Sequence, residues 1–173
     1  MQPKYALQAS AHRRTEAAIL EGTKELIARS GIAGLSMIEI ADHSEVSRAT
    51  LYNHFRDKDA VLLALVTSEI QRLVTAAASA GTPADALEFL SREISSDPAL
   101  QAMREHDAQL LVTILTRSEN PLYLVLARCI YEHVKTEAGT GLAMRWLLGQ
   151  VAQPISAQQS REQAELLVER TLF

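Results

Sequence analysis

Apolar residues recur along this chain at three- and four-residue intervals, and the polar residues between them include a series of helix caps. From residue 12 to residue 30, Ile19, Leu20, Leu26 and Ile27 line one helical stripe with Thr23 between them. Gly31 follows as a helix-ending residue, and Arg29 sits where the C-terminal end of the helix dipole favours a cation. Residues 1–11 lack this periodicity and are expected to be a mobile arm. Ser36 as N-cap places Glu39 three residues on, a capping box, and Leu35 with Ile40 makes a hydrophobic staple around it. The helix that starts there is short, because DHSEVS at 42–47 reads as a turn. Ser47 caps the next helix, from 48 to about 55, with Val46 and Leu51 as a second staple. Asp57 caps a third start, which the pattern VLLALVTSEIQRLV carries to about residue 80.

Residues 12–56 are thus predicted to be a long helix, a short helix, a tight turn and a short helix, the spacing of a helix-turn-helix. Helical signals continue beyond them. Thr82-Pro83 opens 82–95 and Asp97-Pro98 opens 98–105. QLLVTILT at 109–116 has no partner strand and is predicted to be a buried helix. Asn120-Pro121 opens 121–138, Gly139-Thr140-Gly141 is expected to break it, and 141–152 and 156–172 complete the chain. The prediction is an all-α protein with two parts. Residues 1–56 hold the N-terminal arm and a three-helix helix-turn-helix DNA-binding unit. Residues 57–173 form a larger helical domain. There is no internal repeat and no low-complexity linker.

The second short helix has an unusual outer face. At about 100° per residue, Leu51 and Phe55 point to one side, while Ala49, Thr50 and Asn53 point to the other. Arg48 and Tyr52 border that open face on one side and His54 on the other. Small residues let a helix backbone approach a surface closely. Asn pairs with adenine in bidentate fashion, Arg with guanine, and Thr meets a thymine methyl. Tyr and His can donate to phosphate. Lys58 stands in the first turn of the next helix, where the dipole disfavours a cation unless an anion binds nearby; pairing with Asp57 and Asp59 is the other reading.

Composition adjusts this picture only slightly. The chain has 173 residues, 47% hydrophobic and 22% charged, so it can bury a full core. Net charge is −4, but residues 1–60 hold 8 Lys/Arg against 8 Asp/Glu, and residues 61–173 hold 9 against 13. The first part is neutral, so any nucleic-acid function depends on where its cations stand, not on their number. One cysteine, Cys129, excludes an intrachain disulfide framework and a Cys-based zinc cluster. No N-terminal apolar leader and no uninterrupted apolar run near ~20 residues is present, which gives the expectation of a cytoplasmic protein without a membrane partner.

Residues 35–65, LSMIEIADHSEVSRATLYNHFRDKDAVLLAL, resemble the DNA-binding signature of TetR-type bacterial repressors. The matching features are Ser36, Ile40-Ala41, Val46-Ser47, Thr50-Leu51-Tyr52-Asn53-His54-Phe55 and Lys58. The resemblance implies that Ser36, Tyr52, His54 and Lys58 touch the DNA backbone. It implies that Ser47, Arg48, Ala49, Thr50 and Asn53 belong to the recognition helix, and that Ala41 lets the two short helices pack. It further implies a homodimer on palindromic double-stranded operator DNA, released by an unknown small-molecule effector, with residues 57–173 as the ligand-binding and dimerisation domain. A dimer is also what geometry asks for, since two recognition helices must meet major grooves ~34–36 Å apart. Glu45 departs from the pattern, because glycine is usual there. If that residue takes a positive φ, Glu costs about 1 kcal/mol relative to glycine; otherwise the turn has moved onto Ser44.

In the larger part, Met103, His106, Tyr123, Cys129, Tyr131, Met144 and Trp146 are the polar or bulky residues set within apolar helices, and so the candidates for an effector pocket. The final helix carries Ala157, Ala164, Leu167, Val168 and Leu172 as a stripe, with Phe173 at the end, and a partner chain is expected to cover it. Catalysis finds little support. His106-Asp107 resembles the ligand pair of HD-type phosphohydrolases, but no aspartate follows residue 107 to complete the set. The five histidines (12, 43, 54, 106 and 133) never stand three or four apart, so none pair on one helix as metal ligands. No catalytic residue, metal or cofactor is expected. The competing reading is a small-molecule-binding or interaction protein that keeps a repressor-like fold with weak or lost DNA binding.

Overall fold

Side-chain caps set most helix boundaries. The computed structural model describes residues 4–116 and 121–171. Helices α1 (Lys4–Ser30), α2 (Met37–His43) and α3 (Arg48–His54) form the first unit, and α4 (Lys58–Ala77) leaves it. Then come α5 (Pro83–Ser96), α6 (Pro98–His106), α7 (Ala108–Leu115), α8 (Pro121–Val134), α9 (Glu137–Ala152) and α10 (Ala157–Thr171). Ser36 accepts from Glu39 N while the Glu39 carboxylate accepts from Ser36 N, closing the capping box. Ser47, Asp57, Thr82 and Asp97 each accept from the backbone N–H three residues on, at 2.8–3.1 Å.

Five expectations are corrected. The arm is helical from Lys4, because KYALQASA contains no helix breaker and good helix formers need no apolar stripe to continue a long helix. α2 runs to His43, two residues into the predicted turn. α4 ends at Ala77, short of residue 80. α7 is a helix but not a buried one: Leu111 is inside, while Leu110, Val112 and Ile114 face outward. Two turns of helix lying on the surface can bury only one side. The break after α8 falls at Lys135, which adopts φ 61°, and not at the glycines. Thr136 accepts from Gly139 N at 3.1 Å and restarts the chain as α9, with Gly139 and Gly141 inside it.

Two apolar clusters make the core. The first joins Ile19, Ile27, Leu35, Ile40, Leu51 and Phe55 of the first unit to Val61 and Leu65 of α4, Met103 of α6 and Leu111 of α7. The second joins Leu87 and Leu90 of α5, Ile130 and Val134 of α8, Leu147 of α9 and Ala164 of α10. α4 serves both, through Val61 and Leu65 at one end and Leu73, Val74 and Ala77 at the other. Its 20 residues are long and apolar enough to cross a membrane by length and composition. Yet Glu69 in its middle pairs with Lys24 of α1 at 2.6 Å, and Arg72 pairs with Glu93 of α5 at 2.9 Å, so here it is a strut between helices.

Polar ties reinforce the junction. Buried Asp107, between α6 and α7, accepts from Ile32 N (2.5 Å) and Ala33 N (3.0 Å) in the loop after α1. Gly31 makes room for that carboxylate and takes φ 75°; a β-carbon there would collide with it. Lys24 also reaches Asp97 at 3.2 Å. Burial pulls the Lys24 pKa down, but its hydrogen bonds and the charges of Glu69 and Asp97 outweigh this, and the net shift is upward.

Candidate nucleic-acid interface

α3 is seven residues long and cannot persist alone. Leu51, fully buried, and Phe55, at its C-cap, fix it to α1 and α2. The opposite side is open: Ser47, Arg48, Ala49, Tyr52 and Asn53 are exposed, and Tyr52 keeps 54% of its surface. Thr50 and His54 are half-buried at the margins. The helical-wheel assignment of inner and outer residues therefore matches their burial. Ser47 Oγ and Thr50 Oγ1 lie 2.8 Å apart, which orders the first turn of α3.

The turn before α3 is a Schellman motif. Val46 N donates to Ala41 O at 3.0 Å and Glu45 N to Asp42 O at 3.3 Å, with Glu45 at φ 54°. The left-handed residue is thus Glu45, while Ser44 stays at φ −83°. Glycine would fill this position without strain. Gly22 permits the close passage of α1 and α2 here, since a β-carbon would meet the Ser44 side chain.

Charged groups around α3 are only partly neutralised. Arg48, Arg13 and Arg14 are exposed and make no ion pair among the described residues. Lys58 pairs with neither Asp57 nor Asp59; its ammonium points to Ile32 O at 3.5 Å, while Arg56 holds Asp57 at 2.9 Å. Ser36 is engaged with Glu39 through both its Oγ and its N–H. His54 stacks on His12 of α1, ring centroids 3.9 Å apart. Burial lowers the His54 pKa and His12 lowers it further, against an opposing pull from Glu16. His12, Arg13 and Arg14 were not among the sequence candidates. The signal was the basic run His12-Arg13-Arg14 at the start of the helix predicted over 12–30, whose approach to α3 the sequence does not show.

The pocket candidates of the larger part do not converge. Met103 belongs to the first cluster, whereas Cys129, Met144 and Trp146 belong to the second. His106 and Tyr131 are exposed, and Tyr123 donates to Ile114 O of α7 at 3.3 Å. Burial raises the pKa of both the Cys129 thiol and the Tyr123 phenol. With Asp107 held by two backbone N–H groups, the His106-Asp107 pair is not arranged as metal ligands. Sequence reasoning missed a buried polar group joining α5, α9 and α10. Ser91 Oγ lies 2.7 Å from both Ser160 Oγ and the Gln150 side-chain amide, and Trp146 Nε1 of α9 donates to Gln163 Oε1 of α10 at 2.6 Å.

The comparisons agree with this geometry. Residues 19–65, spanning α1 to the first turns of α4, match the family model for bacterial regulatory proteins of the tetR family. The TetR family repressor AlkX from Dietzia sp. strain DQ12-45-1b superposes with a TM-score of 0.61 at 19% identity, over 91% of this chain and 97% of that one. DhaS, a dihydroxyacetone kinase operon activator, gives 0.65 at 14% identity over 91% and 96%. The transcriptional regulator FadR from Bacillus subtilis, in complex with stearoyl-CoA, gives 0.50 at 19% over 88% and 97%. No curated protein matches the sequence. Residues 19–65 thus match the tetR family's regulatory-protein model, and the fold around them is shared with these regulators.

Proposed function

We propose that the protein is a cytoplasmic repressor that binds palindromic double-stranded operator DNA as a homodimer and lets go when a small molecule binds its larger part. The observation that carries this reading is the open face of α3: small Ala49 and polar Asn53, flanked by Arg48 and Tyr52, on a helix fixed from behind by Leu51 and Phe55. Ala49, Thr50 and Asn53 would meet base edges, and Arg48 a guanine. Ser36, Ser47, Tyr52, His54 and Lys58 would contact phosphates, joined by Arg13 and Arg14. The protein acts by binding, with no catalytic step.

Residues 1–56 would serve DNA and residues 57–173 the effector and the second subunit. The α10 stripe packs inward, with Ala164, Leu167 and Val168 on the second cluster; Leu172 and Phe173 lie outside the described residues. The dimer face is therefore placed on α8, where Leu124 (74% exposed) and Tyr131 stand two turns apart on one side, and on Leu142 of α9. FadR shows a ligand in this type of fold, stearoyl-CoA. Here the effector would act among α4–α10 and tilt α4, which spans both clusters, changing the separation of the two α3 helices. Selection of bound sequences from a random duplex library tests the reading. A palindrome with half-sites about one helical turn apart is expected; a library with no enriched sequence would overturn it.

A further inference from the structure

The first half of α1 passes the end of α3, and three metal-ligating side chains meet at that crossing. His12 and Glu16 stand one turn apart on α1, and His54 is the last residue of α3. One ring nitrogen from each histidine and a carboxylate oxygen of Glu16 all lie within 4.8 Å of one another. The imidazoles are stacked, 3.9 Å between centroids and 16° between planes. Among the described residues, none of the three side chains takes part in a hydrogen bond or ion pair, and all three reach the surface. Core packing does not account for the gathering: His12 is exposed, and among the described side chains of α1 burial begins at Ile19.

We propose that His12, Glu16 and His54 bind a divalent first-row transition cation of the Zn2+, Ni2+ or Co2+ kind. Two imidazoles and one carboxylate form a donor set that suits these ions, whereas Mg2+ and Ca2+ take oxygen ligands. Bond lengths of about 2.0–2.2 Å bring ligand atoms of one ion to roughly 3.5 Å from each other. The ligand atoms, within 4.8 Å of one another, stand no more than about 1.3 Å outside that spacing, a gap of the size that side-chain torsions span. His12 and Glu16, four residues apart on one helix face, supply a two-point grip. His54 closes it from a second helix, so the bound ion cross-links α1 to the recognition helix. Three protein ligands leave a coordination position for water. No pair of histidines shares a helix, so the sequence hides the site; the fold assembles it from residues far apart in the chain.

The inference rests on this geometry and holds whether or not the chain binds DNA. Zn2+ titration of the untagged full chain by calorimetry tests it, with Mg2+ as control and His12→Ala and Glu16→Gln as variants. Expected are one equivalent of Zn2+ per chain and no heat from Mg2+. Either substitution should weaken the affinity at least about tenfold. Because His12 and Glu16 lie at the surface, both variants should melt near the parent temperature without metal, and only the parent should gain thermal stability on adding Zn2+. Absence of saturable Zn2+ binding, equal binding by His12→Ala and the parent, or equal binding of Mg2+ would each overturn the proposal.

Discussion

At the scale of single residues, Glu45 is where this chain departs most from what its backbone asks. It closes the Schellman turn at φ 54°, a conformation that glycine adopts freely. Glu45→Gly should stabilise the protein by about 1 kcal/mol and raise Tm by roughly 2–4 °C in a thermal melt. An unchanged or lower Tm would mean that the Glu45 side chain compensates for its backbone. The open face of α3 separates two further roles. Tyr52→Phe removes a hydroxyl at the border of the face and should weaken all duplexes alike. Asn53→Ala removes the amide proposed to read a base edge at its centre and should relax preference at one base position, worth about 1–3 kcal/mol. Binding of both variants to selected and random duplexes distinguishes them; identical profiles would remove Asn53 from the reading face. The inward and outward sides of α3 were legible because a seven-residue amphipathic helix has one arithmetic solution. The stacking of His54 on His12 was not, since it depends on how α1 crosses α3.

At the scale of elements, the caps made the helices legible. Ser36, Ser47, Asp57, Thr82 and Asp97 all act as N-caps where their spacing placed them. What local signals could not give was how the helices share surface. QLLVTILT reads as buried, yet only one side of α7 meets the body. The glycines at 139 and 141 read as a break, yet the Thr136 cap and left-handed Lys135 place it earlier. Asp107 is the clearest such case, because its partners Ile32 and Ala33 are remote in sequence. It fastens the α6–α7 junction to the loop between α1 and α2. Asp107→Ala leaves two partly buried N–H groups unpaired and should cost about 2–3 kcal/mol, read from denaturant unfolding. A loss below about 0.5 kcal/mol would show that water replaces the carboxylate.

At the scale of the whole molecule, α4 connects the reading unit to the larger part through two apolar clusters and the Lys24–Glu69 and Arg72–Glu93 pairs. In the proposed mechanism, movement among α5–α10 would reach α3 through this strut. In the proposed dimer a second subunit would complete the arrangement. Leu124→Glu places a charge on the exposed face of α8 and should convert the dimer to a monomer in sedimentation without lowering helicity; a dimer that persists would put the interface elsewhere. The central claim is that this neutral N-terminal unit grips DNA by the placement of a few cations. The salt dependence of full-chain binding to a library-selected duplex, beside a scrambled one, tests it most directly. The account predicts a log–log slope of several units, reduced by about one in Lys58→Ala, and a selected-over-scrambled preference of at least about a thousandfold. A slope near zero with equal affinity for both duplexes would contradict it, and would leave a repressor-like fold that works without DNA.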